Sequence, residues 1–152
     1  MKLAAQAKYL AKTLEGKVKV NNQIKFGNLI VYVKPSNLIE VVNFLKKDQE
    51  LQFKILLDIF GADFLGKKTA RFEVIYNFLS LKLNSRLTLK VELNENETLP
   101  SVDKIFNSAN WYEREAFDMY GIVFENSRDL RRILTDYGFE GHPLRKDFPL
   151  TG

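Results

Sequence analysis

Glu113, Glu115 and Asp118 stand close together near the C-terminal third of the chain. Glu115 and Asp118 are three positions apart and would share one face of a helix. Two carboxylates at that spacing can shift each other's pKa and work as an acid–base pair. The alternative is structural. Arg114, Arg131 and Arg132 lie nearby in sequence, and a guanidinium matches a carboxylate geometrically. His142, the only histidine, precedes Pro143, with Arg145 and Lys146 just after it. It is either an acid–base group or anion contact, or a loop histidine bonded to backbone. Residues 138–141 lack the glycine spacing and the Lys-Ser/Thr of a phosphate loop, and there is no dinucleotide fingerprint. The chain has no cysteine, which excludes disulfides and Cys-ligated zinc or iron–sulfur clusters within it. No nucleophile–base pair emerges from the residues alone.

The run Trp111-Tyr112-Glu113-Arg114-Glu115-Ala116-Phe117-Asp118-Met119-Tyr120-Gly121 interleaves charged and aromatic side chains. A surface would carry fewer aromatics and a core fewer charges. Mixed Arg and aromatic composition is what protein–protein interfaces prefer. The 152 residues fit one domain, and 45% hydrophobic content supports a core. The net charge of +4 permits a nucleic-acid or membrane partner without requiring one. Its lysines are scattered rather than blocked, which reads as a solvated basic surface. No stretch approaches the run of about 20 apolar residues that spans a bilayer. The N-terminus lacks the apolar region of a secretory signal, and before Glu15 it also lacks the Arg and Ser of a transit peptide.

The elements that must position these groups follow from periodicity. Leu3, Ala4, Ala7, Leu10, Ala11 and Leu14 form a helical stripe that Gly16 ends. Short strands follow at 18–20 and 28–33. Pro35-Ser36 opens a helix with Leu38, Val41, Val42 and Leu45 inward. Residues 53–60, 71–78 and 86–92 alternate with period two and pair as an antiparallel meander. The first two of these strands are apolar on both faces, so something should cover them. Pro100-Ser101 reads as a helix start with Val102, Ile105, Phe106 and Ala109 on one side. A second helix runs from Asn110 through Met119 and ends at Gly121. The expected fold is α+β: two layers, helices packed on a mixed, mostly antiparallel sheet, with an irregular C-terminal extension. The expected division is an α+β domain at 1–125 and an interaction segment at 126–152 continuous with it. That extension has too little regular structure to satisfy its own backbone and too much apolar surface to stay solvated, so it calls for a partner.

The residues Glu113-Arg114-Glu115, Phe117-Asp118-Met119-Tyr120-Gly121-Ile122, Asp129-Leu130-Arg131-Arg132-Ile133-Leu134 and Gly141-His142-Pro143-Leu144-Arg145-Lys146-Asp147-Phe148-Pro149-Leu150 resemble a known family. It is the 30 kDa subunit of respiratory complex I, found in both bacteria and mitochondria. The motif similarity covers residues 111–152 and is nearly ungapped. The resemblance implies a non-catalytic subunit in the quinone-reducing module of the peripheral arm of a proton-pumping NADH:ubiquinone oxidoreductase. It implies contact with the 49 kDa-type subunit and with the neighbour that holds the terminal iron–sulfur cluster. It implies no cofactor in this chain, since NADH, FMN, the clusters and ubiquinone belong to the wider complex. Glu113, Arg114, Glu115, Asp118, Arg131, Arg132, Arg145, Lys146 and Asp147 match motif positions and would serve intrachain and intersubunit ion pairs rather than catalysis, and His142 belongs to the same motif.

The sequence departs from that pattern in two places. Family members often carry His-Pro before the Asp-Leu-Arg-Arg segment, where Asn126-Ser127-Arg128 stands here. The family also continues into an extended tail beyond the position of Gly152, so the contact made by that tail is not carried over. The resemblance places the chain on the matrix side of the mitochondrial inner membrane, or on the cytoplasmic side of a bacterial one. Richness in Lys, Asn, Ile and Phe suits an AT-rich genome. Two other readings are an equivalent subunit of a membrane-bound hydrogenase-type oxidoreductase, and a stand-alone basic nucleic-acid-binding domain. The acidic content of the C-terminal third speaks against the latter.

Overall fold

The computed structural model describes residues 2–21, 28–127 and 141–147. In chain order the elements are α1 (Leu3–Thr13), β1 (Val18–Val20), β2 (Leu29–Val33), a 3-10 turn (Pro35–Asn37), α2 (Leu38–Lys47), β3 (Ile55–Asp63), β4 (Phe72–Ser80), β5 (Ser85–Leu93), β6 (Leu99–Pro100), α3 (Ala109–Tyr120) and β7 (Phe124–Glu125). Five strands form one sheet in the order β1-β2-β5-β4-β3. The meander β3–β4–β5 is antiparallel, as the alternation requires, and β1 pairs antiparallel with β2. The β2–β5 pair is parallel and makes the sheet mixed. The expected α+β, two-layer architecture is what forms.

One face of the sheet carries Leu29, Val31, Val74, Tyr76, Phe78, Leu87, Leu89 and Val91, which join Leu10 of α1, Leu38, Val41, Val42 and Leu45 of α2, and Ala109 and Ala116 of α3 in a single core. Burying apolar side chains of this size contributes about 1.5–3 kcal/mol each relative to exposure. The opposite face is a different surface. Asn77 donates to Asp58 at 2.8 Å and accepts from Thr88 at 2.7 Å. Beside that strip, Glu73 pairs with Lys68 at 3.2 Å and Lys90 at 3.6 Å. Phe60 on this face is 46% exposed. On this second face of β3 and β4, Ile75 and Glu73 are buried while Phe60 is not, and a hydrogen-bonded polar strip shares the surface with its apolar side chains.

Three local expectations change. The inward face of α1 includes Gln6, fully enclosed and approached by the Ser85 hydroxyl at 3.3 Å, while Ala4 and Ala11 face solvent. In β3 a bulge between Leu56 and Asp58 resets the alternation, so Leu56 and Ile59 point inward. The strand also runs through Gly61 to Asp63, beyond the end at residue 60 expected from the alternation. Residues 101–108 are turns rather than the helix read from Pro100-Ser101. Leu99–Pro100 instead pairs parallel with Phe124–Glu125. The Val102 N–H donates to Glu113 at 3.0 Å and the Asp103 N–H to the Ser101 hydroxyl at 3.1 Å. Side chains thus take backbone donors at the start of that segment. Val102 and Phe106 are nevertheless buried, as the apolar pattern requires.

Candidate functional site

Helix α3 carries the charged–aromatic run. It ends where Gly121 takes the left-handed conformation at φ 75°, its N–H donating to the Phe117 carbonyl at 2.7 Å. The inward face holds Ala109, Glu113, Ala116 and Asp118. Glu113 is fully buried. Its Oε1 accepts from the Ser101 hydroxyl at 2.6 Å and its Oε2 from the Val102 N–H at 3.0 Å. This carboxylate ties α3 to the turn before it. Tyr76, also fully buried, has its hydroxyl pKa pushed well up by burial and by the charge of Glu113.

The C-terminus of α3 meets residues 141–147. A helix leaves its last carbonyls without intrahelical partners. Here His142 Nδ1–H donates to the Asp118 carbonyl at 2.9 Å, the Leu144 N–H to Met119 at 2.9 Å, and Arg145 Nε–H to Tyr120 at 2.5 Å. Three successive carbonyls are thus satisfied by a segment remote in sequence. Arg145 also puts a positive charge at the negative end of the helix dipole. The His142 ring sits edge-on to Phe117, with centroids 5.7 Å apart. The backbone-bonding alternative for His142 is the one realised.

Beneath this cap lies a buried ionic cluster at the end of the β3–β4 pair. Arg71 grips Asp63 through Nε at 3.1 Å and Nη2 at 3.0 Å. It also reaches Asp147 at 2.7 Å and Glu95 at 3.0 Å. Asp63 further accepts the N–H of Leu65 at 3.0 Å and of Lys146 at 2.8 Å. Burial pushes the Asp63 carboxyl up, but the Arg71 hydrogen bond, the two backbone N–H bonds and the Arg71 charge together outweigh it, so its pKa lies below the ordinary value. Asp147 is lowered chiefly by its hydrogen bond from Arg71, and the Arg71 pKa is raised, most of all by Asp63. Tyr120 is raised by burial and then by the charge of Asp63. The guanidinium carbons of Arg71 and Arg145 lie 4.9 and 5.2 Å from the centroid of the Phe72 ring.

Two glycines permit this close assembly. A Cβ on Gly61 would stand 3.0 Å from both Ile122 and Tyr120, so its absence lets β3 approach the end of α3. A Cβ on Gly121 would stand 2.7 Å from the His142 ring and 2.8 Å from Arg145.

Of the residues singled out from sequence, Asp118, His142, Arg145, Lys146 and Asp147 converge on this junction, Lys146 through its main-chain N–H. Glu113 sits deeper, in the turn contact. Glu115 is half-buried on α3. Arg114 has its guanidinium 6.0 Å from the ring of Trp111, which is itself 53% exposed. Arg131 and Arg132 lie outside the described residues. Asp63, Arg71 and Ser101 were not singled out. The available signal was an aspartate inside the apolar stretch Ile59 to Leu65 and an arginine directly before Phe72.

Residues 31–152, which include this junction, match the family described as respiratory-chain NADH dehydrogenase, 30 Kd subunit. A protein of Mesorhizobium japonicum, named as the C-type subunit of NADH-quinone oxidoreductase, is 50% identical over 150 residues, covering 99% of this chain and 74% of that protein. A Rickettsia felis protein of the same name is 58% identical over 124 residues, covering 82% of this chain and 59% of the relative. Among solved structures, the trypsin-resistant fragment (1–134) of Nqo5 superposes with a TM-score of 0.69 at 31% identity, over 84% of this chain and 99% of that one.

Proposed function

The chain belongs to the 30 kDa subunit family of the respiratory-chain NADH dehydrogenase, and from that membership we propose that it works as a non-catalytic peripheral-arm subunit of an NADH:quinone oxidoreductase. The observation that carries the reading is the junction of α3 with residues 141–147. The motif side chains described there are spent on holding the chain together: Glu113 on Ser101 and Val102, His142 on a carbonyl, Asp147 on Arg71. What α3 offers outward is an exposed tryptophan beside an arginine, a pairing typical of interface anchors. In this reading the role is assembly and support. NADH, FMN, iron–sulfur clusters and quinone are bound by other subunits, and the partners are the 49 kDa-type subunit and the one with the terminal cluster.

The name shared by the relatives, that of an NADH-quinone oxidoreductase, favours the NADH-linked complex over the hydrogenase-type alternative. No helix among the described residues is long and apolar enough to cross a membrane, so the chain would reach the membrane through its complex. The proposed compartment is the matrix side of the mitochondrial inner membrane. The bacterial relatives fit the cytoplasmic side of a bacterial membrane, and fractionation of the source cells decides between the two.

The test is native purification in mild detergent through a tag on Met1, with mass spectrometry of the partners and an NADH:quinone assay. Recovery of a large active complex containing the 49 kDa-type and iron–sulfur subunits is the expected outcome. A lone monomer would overturn the reading. A second measurement concerns the non-catalytic role: Trp111→Ala should lower the yield of assembled complex and leave the Michaelis constant for quinone unchanged in what assembles. Normal yield with an altered constant would place this chain at the quinone site instead.

A further inference from the structure

The far edge of the sheet carries a second surface. Lys19 of β1 lies opposite Tyr32 of β2, and Tyr32 lies opposite Lys90 of β5, so the three form a row across the face that bears no described helix. Lys17 and Lys34 stand at the ends of these strands. Together they line a groove of about 930 Å³ with Val18, Val20, Pro35 and a single described acid, Glu92. Lys17 is paired with Glu40, and Lys90 with Glu73 at 3.6 Å. Exposed Lys19 and Lys34 make no ion pair among the described residues. Strand β1 ends the sheet order, and its outer side pairs with no described strand. An edge strand in this state offers its N–H and C=O groups to an incoming chain.

We propose that this groove binds an extended acidic segment of a partner polypeptide, which adds to the β1 edge. A strand added there places a side chain directly opposite Lys19, within the roughly 4.5–5.5 Å of a cross-strand pair, and a carboxylate is the side chain that this position stabilises. The next side chain on the same face in one direction, about 6.8 Å along the strand, lies toward the end of the β1–β2 pair where Lys17 and Lys34 stand together. Val18, Val20 and Pro35 supply apolar contact. A nucleic acid fits less well, because Glu92 and Glu73 flank Lys90 and Tyr32 is the one aromatic among the described lining residues.

The inference does not rest on the assembly proposed above, since its test uses the chain by itself. The full chain, labelled with nitrogen-15, is titrated at low salt with an eight-residue peptide of alternating valine and glutamate. The expected result is saturable shifts of the amides of Val18, Lys19, Val20 and Tyr32, binding weakened at least tenfold by Lys19→Glu with Lys34→Glu, and a change within twofold for the control pair Lys8→Glu with Lys12→Glu on α1. All four lysines are exposed, and the spectrum itself reports whether each variant is folded. Absent shifts, shifts centred elsewhere, or equal weakening by the control pair would overturn the proposal. So would tighter binding at these amides by a single-stranded oligonucleotide of matched charge.

Discussion

Replacing Arg71 with methionine removes the charge and keeps most of the volume. What it leaves behind is the Asp63 carboxylate, whose side chain is 1% exposed, while that of Arg71 is 7% exposed. Breaking a buried pair by deleting one partner costs about 3–5 kcal/mol, because the surviving charge has lost its compensation. Two N–H donors, from Leu65 and Lys146, remain on Asp63 and put the expected loss near the lower end, about 3 kcal/mol. The pairs with Asp147 and Glu95 add little, since those carboxylates are half exposed and screened by solvent. With a urea m-value of about 2 kcal/mol per molar, the unfolding midpoint falls by about 1.5 M at pH 7. Adding Asp63→Asn to Arg71→Met should restore part of the loss, because the orphaned charge goes with it. A second readout is tryptic cleavage at Arg145 and Lys146. It should accelerate more in Arg71→Met than in Leu89→Ala, a core truncation costing a comparable 2–5 kcal/mol or so. A midpoint change below about 0.5 M with an unchanged slope, or equal cleavage in the two variants, would refute the argument that this arginine anchors the segment.

Three further outcomes follow from the same geometry. Asp63 and Asp147 titrate below their ordinary value in the folded chain, so the stability they contribute is complete above the unfolded carboxylate pKa, about 3.9, and is lost as pH falls through the lower folded values; acid unfolding followed by circular dichroism should lose part of its pH dependence in Asp63→Asn. Gly121→Ala forces a side chain into the left-handed region, costing about 1–2 kcal/mol, and drives its Cβ to 2.7 Å from the His142 ring, so the melting temperature should fall and the His142 ring resonances should shift. Glu113→Ala strands the buried Ser101 hydroxyl and Val102 N–H at about 1–3 kcal/mol for each unsatisfied group, whereas Glu113→Gln keeps an acceptor and should cost less in a denaturant titration.

The meander was legible because Phe72 to Phe78 and Leu87 to Val91 alternate over enough residues to leave one phase. The end of α3 was legible because Gly121 closes an aromatic, charged run of helical length. The bulge at Leu56–Asp58 was not, since Ile55, Leu56 and Leu57 are apolar in either phase. Pro100-Ser101 carries the residue types of a helix start, yet Ser101 and Val102 direct their polar groups to a carboxylate that arrives from the next helix. The junction was half legible. His142, Arg145 and Asp147 stood out by type, but their partners are set by tertiary approach: two α3 carbonyls, and a guanidinium displaced from Asp147 by 76 positions. Asp63 and Arg71 form a pair only once β3 and β4 are in register, which local periodicity does not encode.

The cap on α3 has a consequence for synthesis. The carbonyls of Asp118, Met119 and Tyr120 are closed by groups that arrive up to 25 positions later, at His142, Leu144 and Arg145. At about 5–20 residues per second, a ribosome delivers them a second or more after the helix itself. During that interval the last turn of α3 has only water or a chaperone for partners. The sheet and the other two helices can be in place by then, so the emerging chain passes through a stage in which the end of α3 is still unfinished.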